Sequence, residues 1–132
     1  MTYLHGSCLC GGVRIRIPDE FAFVGYCHCS QCRKWSGSPF AAGGVVDSTD
    51  FAITRGEELV SCYASSEDTQ RGFCSRCGSS LFSIKHALGK HVVRLGALDD
   101  EPTQRPDRHI FVAHKAPWFE ITDGLEQYEQ GP

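Results

Sequence analysis

Long apolar runs are missing from this sequence. No stretch approaches the roughly 18 consecutive apolar residues of a membrane-spanning helix, so no membrane partner is expected. The first residues, Met1-Thr2-Tyr3-Leu4-His5, have neither the charged head nor the apolar stretch of a secretory signal, which makes a cytoplasmic location the expected one. Basic clusters are equally scarce. The densest pair is Arg33-Lys34 and the formal net charge is -3, a poor match for a phosphate backbone, so no nucleic-acid partner is expected. Repeats, low-complexity tracts, linkers and long helical periodicities are absent too. With 41% hydrophobic and 22% charged residues over 132 positions, the chain reads as one soluble domain spanning residues 1–132, large enough for a real core. Nothing in it fixes an oligomeric state.

What the chain has in excess is cysteine. Eight of them in a chain expected to stay reduced favour metal or redox chemistry over a disulfide framework, and their clustered spacing points the same way. Three groups stand out: Cys8-Leu9-Cys10, then Cys27-His28-Cys29-Ser30-Gln31-Cys32, then Cys74-Ser75-Arg76-Cys77-Gly78. An extended C-x-C puts both sulfurs on one face, since side chains alternate along a strand, and a tight C-x-x-C turn swings a third sulfur back toward them. A C-x-x-C followed by glycine has the shape of a zinc knuckle. Structural zinc takes four protein ligands, whereas catalytic zinc keeps three and leaves one position open. Cys8, Cys10, Cys74 and Cys77 make the natural closed set, which leaves Cys27, Cys29 and Cys32 as an open one. An alternative pairing joins Cys27 or Cys32 to Cys74 and Cys77, but it strands Cys8 and Cys10 as a lone pair. A four-thiol iron-sulfur cluster has no separate support in the chain. If seven thiols lose their protons to two Zn²⁺, the net charge becomes about -6. Cys62 stands apart beside Tyr63, and the simplest reading makes it a small buried hydrophobe.

Between the cysteines the pattern is one of short strands and polar turns. Residues 13–17 alternate apolar and basic, the mark of a strand with one wet face. Further strands are expected at residues 21–26, 40–46, 51–54, 59–63, 81–84, 91–96 and 109–113, with a helical turn at 29–35 and a C-terminal piece at 125–128. The run Phe40-Ala41-Ala42-Gly43-Gly44 is built of small side chains after its first residue, which admit either a ligand or a tightly packed neighbouring strand. The expected fold is all-β, made of several small coiled antiparallel sheets.

The segments GSCLCGGV from Gly6, CHCSQCRKWSGSPF from Cys27, TRGE from Thr54 and GFCSRCGSSLF from Gly72 together resemble the glutathione-dependent formaldehyde-activating enzyme family, which also includes centromere-protein-V-type proteins. The tail, with His109, Trp118, Ile121, Asp123, Leu125 and Tyr128, is similar as well. The resemblance implies a β-tent-like fold of coiled sheets stapled by zinc. It implies two Zn²⁺ per chain, a structural one on Cys8, Cys10, Cys74 and Cys77 and a catalytic one on Cys27, Cys29 and Cys32. It also implies carbon-sulfur lyase-type chemistry of the S-(hydroxymethyl)glutathione synthase kind, in which a small-molecule thiol such as glutathione adds to formaldehyde or another small aldehyde.

Two rival readings belong to other classes: a non-catalytic zinc-stabilised binding module, and a thiol redox sensor that ejects zinc when oxidised. Among the remaining residues, His28 lies between two ligands and its ring is expected to face away from the metal. Arg33, Lys34, Arg71 and Arg76 flank the cysteine motifs and could receive carboxylates, although solvated surface charge is the simpler reading of each. Trp35 is expected in the core, and His86 and His91 at an exposed hairpin around Gly89.

Overall fold

The computed structural model describes residues 2–131. The alternation at residues 13–17 has the outcome that period-2 patterning demands. Strand β2 (Arg14–Pro18) buries Ile15 and Ile17 and turns Arg14 and Arg16 to solvent. It pairs antiparallel with β1 (Tyr3–Ser7) on one side and β5 (Ala52–Arg55) on the other, giving a three-stranded sheet.

The other strands are β3 (Phe23–Cys27), β4 (Ala41–Asp47), β6 (Val60–Ala64), β7 (Thr69–Cys74), β8 (Ser80–Lys85), β9 (Lys90–Arg94), β10 (Arg108–Ile110) and β11 (Glu126–Gln127). They form one eight-stranded sheet in the order β11-β10-β3-β4-β9-β8-β7-β6. The expected several small antiparallel sheets are therefore two among the described residues, one of them large and mixed: β10 runs parallel to both β3 and β11. Consecutive hairpins build β6 through β9, whereas a parallel neighbour for β3 has to come from far along the chain. The one helix, α1 (Ser30–Ser36), follows the second cysteine group and ends on Gly37 in the left-handed region. No helix among the described residues is long and apolar enough to cross a membrane.

Register decides what each face of the large sheet does. Gly25 pairs with Gly43 and Gly43 with Arg94, while Val45 pairs with Val92, Val92 with Ser83, and Ser83 with Arg71. These residues share one face, and each of them lines a cavity. The alternate residues Val24, Val46, Phe82 and Val93 point the other way. They join Leu4, Ile15 and Ile17 of the small sheet in one buried apolar cluster. The small-residue run is thus split by pleat. A Cβ on Gly44 would sit 2.5 Å from the Phe21 ring on the core face, so this glycine is a packing requirement, whereas Gly43 leaves the cavity floor free of a side chain.

Three expectations need correction. Cys62 is exposed rather than buried, because β6 is an edge strand with a wet face. Trp35 is half-buried; its Nε1 donates to Ser80 Oγ at 2.6 Å and its ring meets Phe73 edge-on, which ties α1 to β7 and β8. The strand expected at residues 109–113 stops at Ile110, because Phe111 takes a left-handed backbone (φ 56°) that turns the chain away.

Candidate metal and thiol site

Cys8 and Cys10 sit in a turn rather than an extended strand. The amide of Gly11 donates to the Cys8 carbonyl at 2.9 Å, and the amide of Val13 donates to Cys8 Sγ at 3.2 Å. Cys74 ends β7, and the knuckle beyond it closes with the Gly78 amide on the Cys74 carbonyl at 2.7 Å. The four sulfurs of Cys8, Cys10, Cys74 and Cys77 lie within 4.8 Å of one another. Cys8 Sγ is 3.5 Å from Cys10 Sγ, which is 3.9 Å from Cys74 Sγ. Thiolates at tetrahedral zinc, with Zn–S near 2.3 Å, stand about 3.8 Å apart, so this donor set fits the ion.

The surroundings favour the thiolate at Cys10 and Cys77, while burial raises Cys74. Arg76 Nε donates to Cys10 Sγ at 3.3 Å and holds that thiol below its ordinary range. The Ser79 hydroxyl, 3.2 Å from Cys77 Sγ, helps bring Cys77 down to about 5. Arg76, expected at the surface, is exposed but engaged with a sulfur.

Cys27, Cys29 and Cys32 form the second cluster, their sulfurs likewise within 4.8 Å of one another. Cys27 closes β3, Cys29 caps α1 by accepting the Cys32 amide at 3.3 Å, and Cys32 lies in the first turn of the helix. Hydrogen bonds from Cys27 and Cys32 lower the Cys29 thiol to about 2, and the same contacts push Cys27 up. Three sulfurs crowded this closely suit a cation that would ionise them. Among the described residues all eight cysteines are free, and each of the two clusters can hold a metal ion.

All three trio cysteines open on the cavity, whose volume is about 580 Å³, inside the range of about 300–1,000 Å³ usual for small-molecule sites. Its opposite wall carries Arg71, Ser83, Lys85 and Arg94. Of the flanking cations singled out in the sequence, Arg71 is buried and faces this cavity, Lys34 is exposed, and Arg33 is half-buried outside it. Arg94, Lys85 and Lys90 were missed as site residues. For Lys90 and Arg94 the signal was the spacing Lys90-Val92-Arg94, which puts alternate residues on one face.

His28 turns away from the thiols, as its place inside C-x-C requires. It is fully buried, with Nε2 2.7 Å from His109 Nδ1, and His109 Nε2 is 2.8 Å from Asp123 Oδ2. The carboxylate assigns the chain of donors. His109 donates to Asp123 and accepts from His28, which leaves His28 Nδ1 as a bare acceptor, in keeping with its lack of a partner. Burial lowers His28 to about 4, so the ring is neutral near pH 7. His86 is exposed at the β8–β9 hairpin, while His91 stacks on Phe51 with ring centres 4.3 Å apart.

The family described as glutathione-dependent formaldehyde-activating enzyme matches residues 3–114, through both complete cysteine clusters. The chain belongs to this family. A Halomonas elongata protein described as "Putative glutathione-dependent formaldehyde-activating enzyme" is 34% identical over 127 residues, 89% of this chain and 80% of its own length. An uncharacterized lyase of Schizosaccharomyces pombe is 35% identical over 82 residues, 62% of this chain and 58% of its own. A crystal structure of a Rhodobacter sphaeroides protein superposes with a TM-score of 0.62 at 24% identity, covering 77% of this chain and 97% of that one, which establishes a shared fold. In this member of the glutathione-dependent formaldehyde-activating enzyme family, the trio of thiols opens on the cavity face of the large sheet.

Proposed function

We propose that this protein is a carbon-sulfur bond-forming enzyme of the lyase class that adds a small thiol to a small aldehyde, with glutathione and formaldehyde the pair suggested by its relatives' names. The observation that carries the reading is the unequal donor count: four thiols converge in one cluster, while three converge in the other and face a small-molecule-sized cavity. On this reading residues 1–132 form one zinc domain in a reducing cytoplasm, with structural Zn²⁺ on Cys8, Cys10, Cys74 and Cys77 and catalytic Zn²⁺ on Cys27, Cys29 and Cys32. Cys27, Cys29 and Cys32 would hold the zinc, which would favour the ionised form of an incoming thiol.

The chain's own residues do the rest. The N-terminal turn of α1 and the end of β3 fix the three sulfurs, so the position of the incoming sulfur is set by backbone rather than by mobile side chains. Val45, Val92 and Ile110 wall the cavity with apolar surface and thin the water around the reacting atoms. In the addition the sulfur lone pair forms the S–C bond, the C=O π bond breaks onto oxygen, and the thiol proton ends on that oxygen. The product is the hemithioacetal, with no oxidant or reductant.

The test is NMR exchange spectroscopy of glutathione and formaldehyde with their adduct. Metal-loaded protein is expected to accelerate exchange and chelator-stripped protein to lose the effect. Exchange at the uncatalysed rate with two zinc ions bound would reject the reading.

A further inference from the structure

The floor of the cavity is apolar where the proposed reaction gives no reason for it. Outward from the trio, the pleat sets three rows on the cavity face of β3, β4 and β9: Cys27 beside Ala41, then Gly25 beside Gly43, then Phe23 beside Val45 and Val92. The glycine row is overlaid by side chains of the row beyond it. Phe23 ring carbons lie 3.1 Å from the place a Cβ on Gly25 would take, and Val92 Cγ1 lies 2.7 Å from the place of one on Gly43. Apolar surface therefore comes back to within about 7 Å of Cys27, two residues along the strand. Phe23, Val45 and Val92 are each only half-buried. At the far end Leu88, on the β8–β9 hairpin, lines the same cavity and is 70% exposed. Of the five large apolar side chains left exposed among the described residues, it is the one on the cavity.

Partly exposed apolar side chains gathered on one concave surface mark a place that an apolar group covers. Neither reactant suggested by the relatives' names supplies one. Formaldehyde has no carbon beyond the reacting one, and glutathione is a peptide of polar and charged groups on short methylene spacers. The cavity also has two unlike sides for two reactants. Arg71, Ser83, Lys85 and Arg94 form a hydrogen-bonding wall that suits a peptide-like thiol. The band of Phe23, Val45, Val92 and Leu88 is left to the aldehyde.

We propose that this band is a binding subsite for an alkyl or aryl group on the aldehyde, so that the carbonyl brought to Cys27, Cys29 and Cys32 belongs to an apolar aldehyde larger than formaldehyde. The proposal rests on the thiol-aldehyde reading and names the class of its second reactant. The bonds made and broken are those of the hemithioacetal addition, and only the substituent on the carbon differs.

Binding and turnover are read separately. Zinc-loaded protein is titrated by methyl-observed NMR with methanol, butanol and hexanol, which mimic the aldehydes but form no imine with Lys85 or Lys90. Affinity is expected to rise along the series, by up to about fourfold per methylene buried, with the largest shifts at the methyl groups of Val45, Val92 and Leu88. Val92→Thr, which keeps the shape and adds a hydroxyl, is expected to weaken hexanol binding about three- to tenfold. Its zinc content and thermal transition report on its fold. Should it fail to fold, Leu88→Ser at the exposed hairpin is expected to weaken hexanol binding about two- to threefold. In exchange spectroscopy with glutathione, the acceleration over each aldehyde's own uncatalysed rate is expected to be greater for hexanal than for formaldehyde. A flat alcohol series overturns the proposal, as does hexanol binding that misses the band or is unchanged in Val92→Thr. Greater acceleration for butanethiol with formaldehyde than for glutathione with hexanal gives the apolar group to the thiol and overturns it too. Hexanol binding at the band without any exchange upholds the apolar subsite and rejects the proposed reaction. Formaldehyde exchange together with a flat alcohol series does the reverse.

Discussion

The two thiol clusters draw on the same spacings but sit differently in the chain. Cys10 and Cys74 are 64 positions apart, so the quartet brings the turn after β1 in the small sheet against the end of β7 in the large one. Cys27, Cys29 and Cys32 lie within six residues of one another and tie together only the end of β3 and the start of α1. Closing a loop the size of the quartet's removes about 4 kcal/mol of unfolded-chain entropy. Closing the trio's short loop removes about half as much, roughly 2 kcal/mol, and its sulfurs face a cavity. On the proposed reading, the cluster that spans distant segments serves stability, and the one that spans a single turn serves a ligand.

The largest test of that contrast is Cys74→Ser. Structural zinc is worth on the order of 10–16 kcal/mol against domain stabilities of about 5–15 kcal/mol. The variant is expected to lose its cooperative thermal transition, followed by circular dichroism. Cys29→Ser comes next. It is expected to stay folded with about one zinc ion fewer per chain and no thiol-aldehyde exchange, read by elemental analysis and NMR. An aggregating Cys29→Ser beside a well-folded Cys74→Ser would invert the assignment of the two clusters.

The two faces of the large sheet offer a subtler comparison. Gly44→Ala drives a methyl group into the Phe21 ring at 2.5 Å and is expected to cost about 1–3 kcal/mol in urea unfolding. Gly43→Ala meets the Val92 Cγ1 methyl at 2.7 Å, a side-chain tip that can turn into the cavity. Its expected cost is smaller, with narrower access to the trio. Equal destabilisation would contradict the division of the faces.

The smallest effect concerns pH. Burial holds His91 near about 4, whereas an unfolded histidine titrates near 6.5. Between these values the unfolded chain binds more protons, so stability falls as pH drops from about 6.5 to about 4, and this contribution levels off below. His91→Phe, which keeps the ring on Phe51, is expected to flatten the slope of melting temperature against pH in that window. An unchanged slope would place the acid sensitivity elsewhere.

Seven of the eight cysteines announced their grouping in the sequence, because metal donors cluster at short spacings and the chain must turn around them. Strand β2 was equally legible from its alternation. Strands β1 and β7 were not: β1 contains His5 and Gly6 in five residues, and β7 has Arg71 on its cavity face and Gly72 on its core face. A Cβ on Gly72 would lie 2.3 Å from the Phe82 ring, so the packing depends on a missing side chain, which no hydrophobic pattern reports. The cationic wall was hidden for another reason. Arg71 and Arg94 belong to different strands and become neighbours of one cavity only through the register of β7, β8, β9 and β4. The link from Asp123 through His109 to His28 likewise depends on the parallel placement of β10 beside β3.

That placement bears on the order in which a growing chain can assemble. All four thiols of the quartet have been synthesised by Cys77, but the neighbour of β3 beyond Cys27 is Ile110, and Phe111 and His114 complete the same side of the cavity. On the ribosome the frame can therefore gather its sulfurs while the trio still lies in an unfinished chamber. The wall of the cavity is completed late in translation, with the return of residues 108–114.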